Sequence, residues 1–273
     1  MTNRLFQKTN FRRQVIGWSG AAMLFGGILM AAIQGVVLMS SEVAADSETR
    51  KIALIGATAL AAPDLINQAL DAGLEVVGIV RRPEAIDFKH ERFTVVKGDV
   101  YDVDSIENAL EGDEVVISYI DIKMTLGVEV VEEVDLFSRG TANIIEAMKN
   151  KGNRRLIIAS AVGSENVALV EPPEDVSPSE KLAWHRRRKY DDVRRMEAIV
   201  EGSNLDYIIL RLPHLVSGPL SGEYSTFVNS NMYNTAIRDE NPPRTLTQAD
   251  LAYFILEQLS SDEYIGKTVG LIN

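Results

Sequence analysis

Length, composition and charge narrow the classes of protein to which this chain can belong. Of its 273 residues, 46% are hydrophobic and 25% are charged, which is typical of one large globular domain and excludes a disordered chain. Cysteine is absent and histidine occurs three times, so disulfides and thiolate chemistry are excluded and we assign no metal. The net charge of −11 argues against a nucleic-acid-binding protein, because the phosphate backbone would be repelled.

The N-terminal part of the chain predicts a membrane anchor. Residues 15–39 contain no charge and as a helix would span a hydrocarbon core of about 30 Å. We therefore predict a basic segment over 1–14, a single transmembrane helix over 15–39 and a polar linker over 40–50. Basic residues precede the span and acidic residues follow it, so the N-terminus is expected in the cytoplasm and the folded domain on the opposite, periplasmic or lumenal, side. A cleaved export signal or an organelle transit sequence is the alternative.

Small residues recur along the predicted span. Gly27, Ala31 and Gly35 are spaced four apart and would form a strip on one helix face. Such strips allow two transmembrane helices to approach closely. The pattern therefore predicts a partner helix in the membrane, although glycine and alanine are also simply frequent in membrane spans.

The remainder of the chain alternates strands and helices. A short apolar strand over 51–55 leads through a turn into a helix with apolar residues at helical spacing, and a strand over 74–80 follows. Strands alternating with helices predict an α/β, doubly wound parallel sheet of the Rossmann type across 51–273. Further strands are predicted over 93–96, 114–118, 155–160, 206–211 and 268–272, and helices near 103–110, 130–150, 182–201 and 248–259.

Six segments resemble the atypical short-chain dehydrogenase/reductase group, the NmrA-like, NAD(P)H-binding relatives. The resemblance covers nearly all of the chain after residue 50, and the order of the segments carries it. The segments are IALIGAT at 52–58, VRRP at 80–83, KGDVYD at 97–102, TANIIEAMKNKGNRRLIIASAVG at 141–163, SNLDYIILRLP at 203–213 and LTQADLAYFILEQL at 246–259.

The resemblance implies a nucleotide-binding turn that has lost two glycines. The family's three glycines align with Gly56, Ala59 and Ala62, with Thr58 in the same turn. At the second position the alanine sets a methyl group where phosphate oxygens lie and disfavours the positive φ that glycine permits. Either the domain binds its cofactor weakly, or Ala59 packs the turn of a domain that no longer binds one.

Other positions that the resemblance assigns to the cofactor favour NADP(H). Arg81 and Arg82 follow the second strand where NAD-specific relatives place an acid, and arginine there accommodates a 2′-phosphate. A solvated surface pair is the alternative. The resemblance also places Asp99 and Val100 against the adenine and Ser118 near the nicotinamide ribose. Ser160 corresponds to a serine at a strand end that binds substrate or caps the sheet.

The catalytic motif is incomplete. Reductases of the broader family use Tyr-x-x-x-Lys, and the nearest match is Tyr190 with Arg194, where arginine is not a conservative replacement. The neighbouring stretch 185–189 is interpreted as a solvated basic face, or as a patch that contacts phospholipid headgroups or an acidic partner. His214 is interpreted as more often structural than catalytic. Two functions follow: a non-catalytic accessory, structural or assembly subunit of a membrane complex, or an NADPH-dependent reductase or isomerase acting on a lipophilic small molecule.

Overall fold

The computed structural model describes residues 51–120, 135–164, 177–230 and 245–273, and, within the helix that begins at Pro178, the side chains from Arg188 onward. The basic segment, the anchor and the linker predicted over 1–50 lie outside the described residues. None of the helices in the described ranges is both long enough and apolar enough to cross a bilayer.

The core of the fold is an eight-stranded sheet. Its strand order is β3-β2-β1-β4-β5-β6-β10-β8, and every strand is parallel except β8, which pairs antiparallel with β10. Two short strands, β7 and β9, pair with each other outside this sheet. The strands are β1 (Lys51–Ile55), β2 (Glu75–Val80), β3 (Phe93–Lys97), β4 (Val115–Ser118), β5 (Arg155–Ala161), β6 (Asp206–Leu212), β7 (His214–Val216), β8 (Ser225–Val228), β9 (Thr245–Thr247) and β10 (Lys267–Ile272).

Helices cover both faces of this sheet. Side chains alternate across β1, so that Ile52 and Leu54 join one apolar core while Ala53 and Ile55 join the other. Residues of α1 and α5 complete the first core, and residues of α2, α3 and α4 complete the second. The doubly wound parallel sheet predicted from the sequence is therefore confirmed. The helices are α1 (Ala62–Asp71), α2 (Val103–Ala109), α3 (Leu136–Lys151), α4 (Pro178–Glu201) and α5 (Gln248–Glu257).

The predicted element boundaries agree with the structure to within a few residues for most elements. The helix predicted over 130–150 is described from Leu136, because 121–134 lie outside the described residues. The predictions missed β7, β8 and β9. Two of these strands have three residues each, and β8 is mostly exposed, so none carries the buried apolar run that marks the other strands.

A buried carboxylate fixes α4 against α3. Asp192 is fully buried and accepts hydrogen bonds from the backbone N–H groups of Phe137 (2.8 Å) and Ser138 (3.3 Å), and from the Ser138 hydroxyl. These N–H groups belong to the first turn of α3, where they have no partner within the helix. Asp192 therefore supplies from α4 the cap that α3 lacks locally, and this contact holds α4 beside the carboxyl ends of β4 and β5.

Candidate functional site

The site begins where the strand order reverses. β1 pairs with β2 on one side and with β4 on the other, and in open parallel sheets ligands bind at the carboxyl ends of the strands at such a point. Gly56 follows β1 there with φ +87°. A Cβ atom at Gly56 would lie 2.3 Å from the Tyr119 carbonyl oxygen. The turn therefore requires glycine both for its backbone conformation and for its close approach to the chain after β4.

The turn after Gly56 is formed without the other two glycines. The Ala59 N–H donates to the Gly56 carbonyl (2.8 Å) and the Ala62 N–H to the Ala59 carbonyl (3.1 Å). Among the described residues other than glycine, only Asn204 and Asn229 have a positive φ. The positive φ that a glycine at position 59 would permit is not used in this structure, because within the turn only Gly56 has a positive φ.

The start of α1 presents backbone donors to the crevice. Ala62 is buried and begins the helix, with Pro63 in its first turn, and Thr58 is exposed. The N–H groups of Leu60 and Ala61 have no backbone acceptor within the described residues. Both residues line the same cavity as Ala59. Helix N-termini with open N–H groups favour anions, so the cradle suits a pyrophosphate, but the Ala59 methyl group lies at its wall.

A cavity of about 600 Å³ connects this turn with the other half of the sheet. Its volume falls in the range of small-molecule sites, which are mostly apolar with a few polar groups. The lining groups come from the turn after β1, the ends of β4, β5 and β6, the start of α3, α4 and β7. They include Ala59, Leu60, Ala61, Tyr119, Ile120, Phe137, Ser160, Lys189, Tyr190, Val193, Leu212, His214 and Leu215.

Two arginines stand exposed at the end of β2. Arg81 and Arg82 follow Val80 directly and are both exposed. No ion pair or side-chain hydrogen bond engages either of them within the described residues. Their guanidinium groups are therefore available to a phosphate close to the turn after β1.

The residues after β3 and at the end of β4, unlike the exposed arginines after β2, are buried or hydrogen-bonded within the fold, with the exception of the hydroxyl of Ser118. Val100 is buried, and the Asp99 carboxylate accepts a hydrogen bond from the Tyr101 N–H (3.1 Å), which shapes the loop after β3. Burial and the hydrogen bond from its hydroxyl to Asp135 raise the pKa of Tyr101 to about 12. Ser118 is 1% exposed and its hydroxyl has no hydrogen-bond partner among the described residues, whereas Tyr119, the next residue along the chain, lines the cavity.

Ser160 is engaged by a buried ion pair. Its hydroxyl donates to Glu197 Oε1 (2.5 Å), and Arg211 binds both carboxylate oxygens of Glu197 through Nε (2.9 Å) and Nη2 (2.7 Å). The Glu197 side chain is 5% exposed and that of Arg211 16%. The cluster joins α4, β5 and β6 below the cavity, so the Ser160 hydroxyl is occupied in holding these elements together.

Tyr190 and Arg194, the nearest match to Tyr-x-x-x-Lys, make different contacts in the structure. Tyr190 lines the cavity, but Arg194 is exposed and binds Asp191 Oδ1 (2.9 Å). Lys189 lines the cavity instead, with its Nζ 5.5 Å from the centroid of the Phe137 ring. His214 stands at the exposed mouth. The interpretation of 185–189 as a solvated face is therefore wrong for Lys189, because Lys189 lines the cavity.

The match to a family model agrees with this geometry. Residues 56–262, from the first turn to beyond α5, match a family described as NAD(P)H-binding. The chain belongs to the NAD(P)H-binding family. The Rossmann-type parallel sheet of the structure agrees with this membership.

Relatives of known name and known structure are distant. Photosystem II assembly factor Ycf39 of Synechocystis sp. is 23% identical over 223 residues, which cover 81% of this chain and 62% of the relative. A short-chain dehydrogenase/reductase of Veillonella parvula, solved in complex with NADP, is 22% identical with a TM-score of 0.59, covering 81% of this chain and 94% of that one. The oxidoreductase ylbE of Lactococcus lactis is 18% identical with a TM-score of 0.60, covering 82% and 90%. At these identities, the two solved structures show only that the fold is shared.

Three residues at or near the site could not be found from sequence motifs. Lys189 lies one position before Tyr190, and Glu197 and Arg211 lie 37 and 51 positions after Ser160. Their proximity to the site results from the packing of α4 against β5 and β6. The charged Arg211 near the end of the apolar β6 segment was the one available signal, since a buried arginine on a central strand needs a partner.

Proposed function

We propose that this protein is a membrane-anchored, NADP(H)-binding accessory or assembly subunit of a membrane complex that binds its nucleotide without turning it over. One observation carries the proposal: Ser160 and Arg194, two of the residues that the resemblance assigns to substrate binding or catalysis, have structural partners. Ser160 donates to Glu197, and Arg194 binds Asp191. Arg194 does not line the cavity, and the hydroxyl of Ser160, which does line it, already donates its proton to Glu197.

Nucleotide binding is supported by the groups that remain. Gly56 permits the close approach of the first turn. Leu60 and Ala61, whose N–H groups have no backbone acceptor in the described residues, line the cavity at the start of α1. Arg81 and Arg82 would bind the 2′-phosphate that distinguishes NADP(H) from NAD(H). When bound, the nucleotide would supply a hydride carrier; the proposal assigns it a structural or sensing role, because no Tyr-x-x-x-Lys pair accompanies it.

The assembly role is supported by the relative named as a photosystem II assembly factor. That relative is matched over 62% of its length, so its activity and partners are not transferred as such. For this chain we propose a comparable assembly role, in which its Rossmann-type domain contacts other subunits of a membrane complex. The acidic character of the soluble domain suits protein rather than nucleic-acid partners.

The anchor is part of the proposal. Residues 15–39 are the proposed single span, with the N-terminus in the cytoplasm and the domain on the periplasmic or lumenal side. A face formed by Gly27, Ala31 and Gly35 would contact a partner helix. NADPH is not normally supplied on that side of the membrane, which also favours a non-catalytic role. A cleaved signal or a transit sequence is the competing proposal, and the mass of the mature protein separates the two.

A nucleotide titration tests the proposal. The full chain in mild detergent is titrated with NADPH and NADH, and NADPH is expected to bind at least tenfold more tightly. The double variant Arg81→Ala, Arg82→Ala should lose that preference, since each charge-assisted hydrogen bond contributes about 1.5–3 kcal/mol. Arg154→Ala is the control, because Arg154 is exposed and lies at the amino end of β5, whereas the site lies at the carboxyl ends of the strands.

Two further measurements complete the test: whether bound NADPH is oxidised, and whether the chain co-purifies with membrane subunits. Bound NADPH should remain reduced in the presence of quinones, ketones and aldehydes, and affinity purification from native membranes should recover integral membrane subunits. Absence of nucleotide binding would overturn the nucleotide half of the proposal. Recovery of the chain alone would overturn the accessory half.

The alternative is an NADPH-dependent reductase or isomerase acting on a lipophilic molecule. The observation that favours it is the largely apolar cavity, in which Tyr190 and Lys189 both lie. A tyrosine that donates a proton beside a cation is an arrangement suited to general acid chemistry. Oxidation of NADPH by a lipophilic carbonyl compound, abolished by Tyr190→Phe, would establish this function in place of the first.

A further inference from the structure

The outer face of α5 carries an exposed carboxylate that is held by a tyrosine rather than by a cation. Glu257 is exposed at the end of α5, and the hydroxyl of Tyr224 donates a hydrogen bond to its Oε2 atom (2.6 Å). Tyr253 lies one helical turn earlier on the same face of α5 and is 37% exposed. We call these three residues the Glu257 patch. Within the described ranges, no lysine or arginine forms an ion pair with Glu257.

The position of Tyr224 is fixed by its neighbours. Its ring packs edge-on against the buried ring of Phe254, with the centroids 5.6 Å apart. The loop before it is fastened to α5 by Asp250, which is fully buried and accepts hydrogen bonds from the backbone N–H groups of Ser221 (2.9 Å) and Gly222 (2.8 Å). A surface that is already ordered loses little conformational entropy when a partner binds, so the patch is preorganised for contact.

The patch carries one negative charge beside two neutral phenols. The charge of Glu257 raises the pKa of Tyr253, and burial together with the hydrogen bond to Glu257 raises the pKa of Tyr224. Both phenols therefore stay protonated at neutral pH, because an ordinary tyrosine pKa of about 10 is shifted further upward. Each carboxylate oxygen has two lone pairs, so Glu257 can accept further hydrogen bonds in addition to the one from Tyr224.

These groups match the chemistry of an arginine side chain. A guanidinium group forms two parallel hydrogen bonds with a carboxylate, and its flat face stacks on aromatic rings. The fold already contains a related contact close by: Lys267 Nζ lies 5.8 Å from the centroid of the Tyr264 ring, and that ring packs against Phe254 at 5.6 Å. At Tyr253 and Glu257 the corresponding cation would have to come from another molecule.

We infer that the Glu257 patch is a docking surface for an arginine-bearing segment of a protein partner, with Glu257 binding the guanidinium group and Tyr253 stacking on it. None of the three patch residues is among the described residues that line the cavity, so this surface is separate from the nucleotide site. A negative patch repels nucleic acids and anionic lipid headgroups, which favours a protein as the occupant. The inference rests on the accessory role proposed above and names the surface and the chemistry by which a partner is recognised.

Three peptides that differ in one side chain test the inference. The full chain in nanodiscs of neutral lipid is titrated with acetyl-GSXGSG-amide, in which X is arginine, citrulline or glutamate, and binding is followed by the broadening of the peptide NMR signals. Citrulline has the shape of arginine without its charge. The arginine peptide is expected to bind about fivefold more tightly than the citrulline peptide, and the glutamate peptide most weakly. The preference should fall as salt is added, because the patch is exposed.

Matched variants locate the binding surface. Glu257→Gln should reduce the preference for arginine over citrulline to less than about twofold, and Tyr253→Leu should lower it only in part, because the charge remains. Glu146→Gln removes an exposed carboxylate from α3, on the opposite face of the sheet, and should leave the preference unchanged. Circular dichroism should be the same for all three variants, because the substituted side chains are exposed.

Affinity purification of the same variants from native membranes separates this inference from the proposed function. Glu257→Gln is expected to recover fewer membrane subunits than the wild type and Glu146→Gln. Equal binding of the arginine and citrulline peptides, a preference that survives in Glu257→Gln, or equal recovery of subunits by Glu257→Gln and the wild type would overturn the inference, and the last result would leave the accessory role intact. Self-association of the chain that Glu257→Gln abolishes would overturn it as well. A preference lost only in Glu257→Gln, with no subunits recovered by any form, would support the surface and refute the accessory role.

Discussion

On the side of β1 and β2, polar groups at the carboxyl ends of the strands face the crevice or the solvent, whereas on the side of β5 and β6 they bind one another. Arg81 and Arg82 are exposed and without ion pairs in the described structure. In contrast, Ser160, Glu197 and Arg211 form one buried cluster. The comparison indicates that polar groups in the nucleotide half remain accessible, whereas those of the cluster in the other half stabilise the fold.

Breaking the buried cluster should produce the largest effect. Glu197→Gln removes the charge that compensates Arg211, and loss of one partner of a buried ion pair costs about 3 kcal/mol or more in the free energy of unfolding. NADPH affinity should stay within a factor of two, because the cluster lies in the other half. Chemical denaturation followed by circular dichroism measures the loss, with Glu146→Gln at an exposed position of α3 as control. A stable Glu197→Gln variant would contradict the structural role.

The first turn offers the next largest effect. Gly56→Ala places a Cβ atom 2.3 Å from the Tyr119 carbonyl oxygen at φ +87°, so the turn must move; we expect a loss of at least about 2 kcal/mol in stability and no measurable NADPH binding. Gly73 has φ +86°, and nothing lies within 4 Å of the position that a Cβ atom would occupy there, so Gly73→Ala isolates the cost of the backbone conformation, about 1 kcal/mol. Equal effects at the two glycines would refute the argument from close approach.

A pH-dependent effect is expected at Asp250. Burial opposes its ionisation, but hydrogen bonds from Thr247, Gly222, Ser221 and Asn273 hold the pKa of the Asp250 carboxyl below its usual value. A depressed folded-state pKa stabilises the protein above the unfolded-state pKa of about 4, and this contribution is lost as pH falls through the folded-state value.

Asp250→Asn should therefore cost about 1–2 kcal/mol at neutral pH. The difference from the wild type should shrink as the pH is lowered from about 5 towards 3. Thermal unfolding across that range measures it. A difference that is constant with pH would show that the carboxylate charge is not involved.

The smallest effect should be an increase in affinity. Ala59→Gly removes a methyl group from the wall of the phosphate cradle, and we expect NADPH to bind several-fold more tightly, with a loss of about 0.5–1 kcal/mol in stability from the added flexibility. Isothermal titration measures the affinity. Ala72→Gly, at the C-terminal cap of α1, should lose stability without any gain in binding, and a similar gain in both variants would exclude the methyl group as the cause.

Much of the sheet could be predicted because its strands are buried on both faces. The runs at 51–55, 155–160 and 206–211 are apolar almost throughout, and such runs alternating with amphipathic helices leave few topologies open. The short strands β7 and β9 could not be found in this way, since three residues carry no periodicity. The turn after β1 could be located for the same reason, and the structure places it where the carboxyl ends of β1 and β4 meet.

By itself, the sequence determined the layered α/β fold, the position of the nucleotide-binding turn and the arginines that follow β2, because local hydrophobic patterns and turn residues dictate these features. Only the tertiary structure decided which polar side chains serve the fold and which face the cavity. Ser160, Glu197 and Arg211 are far apart along the chain, and Lys189 enters the cavity in place of Arg194 because the cap at Asp192 sets the position of α4. Such contacts depend on how elements pack across the sheet, and no local pattern encodes them.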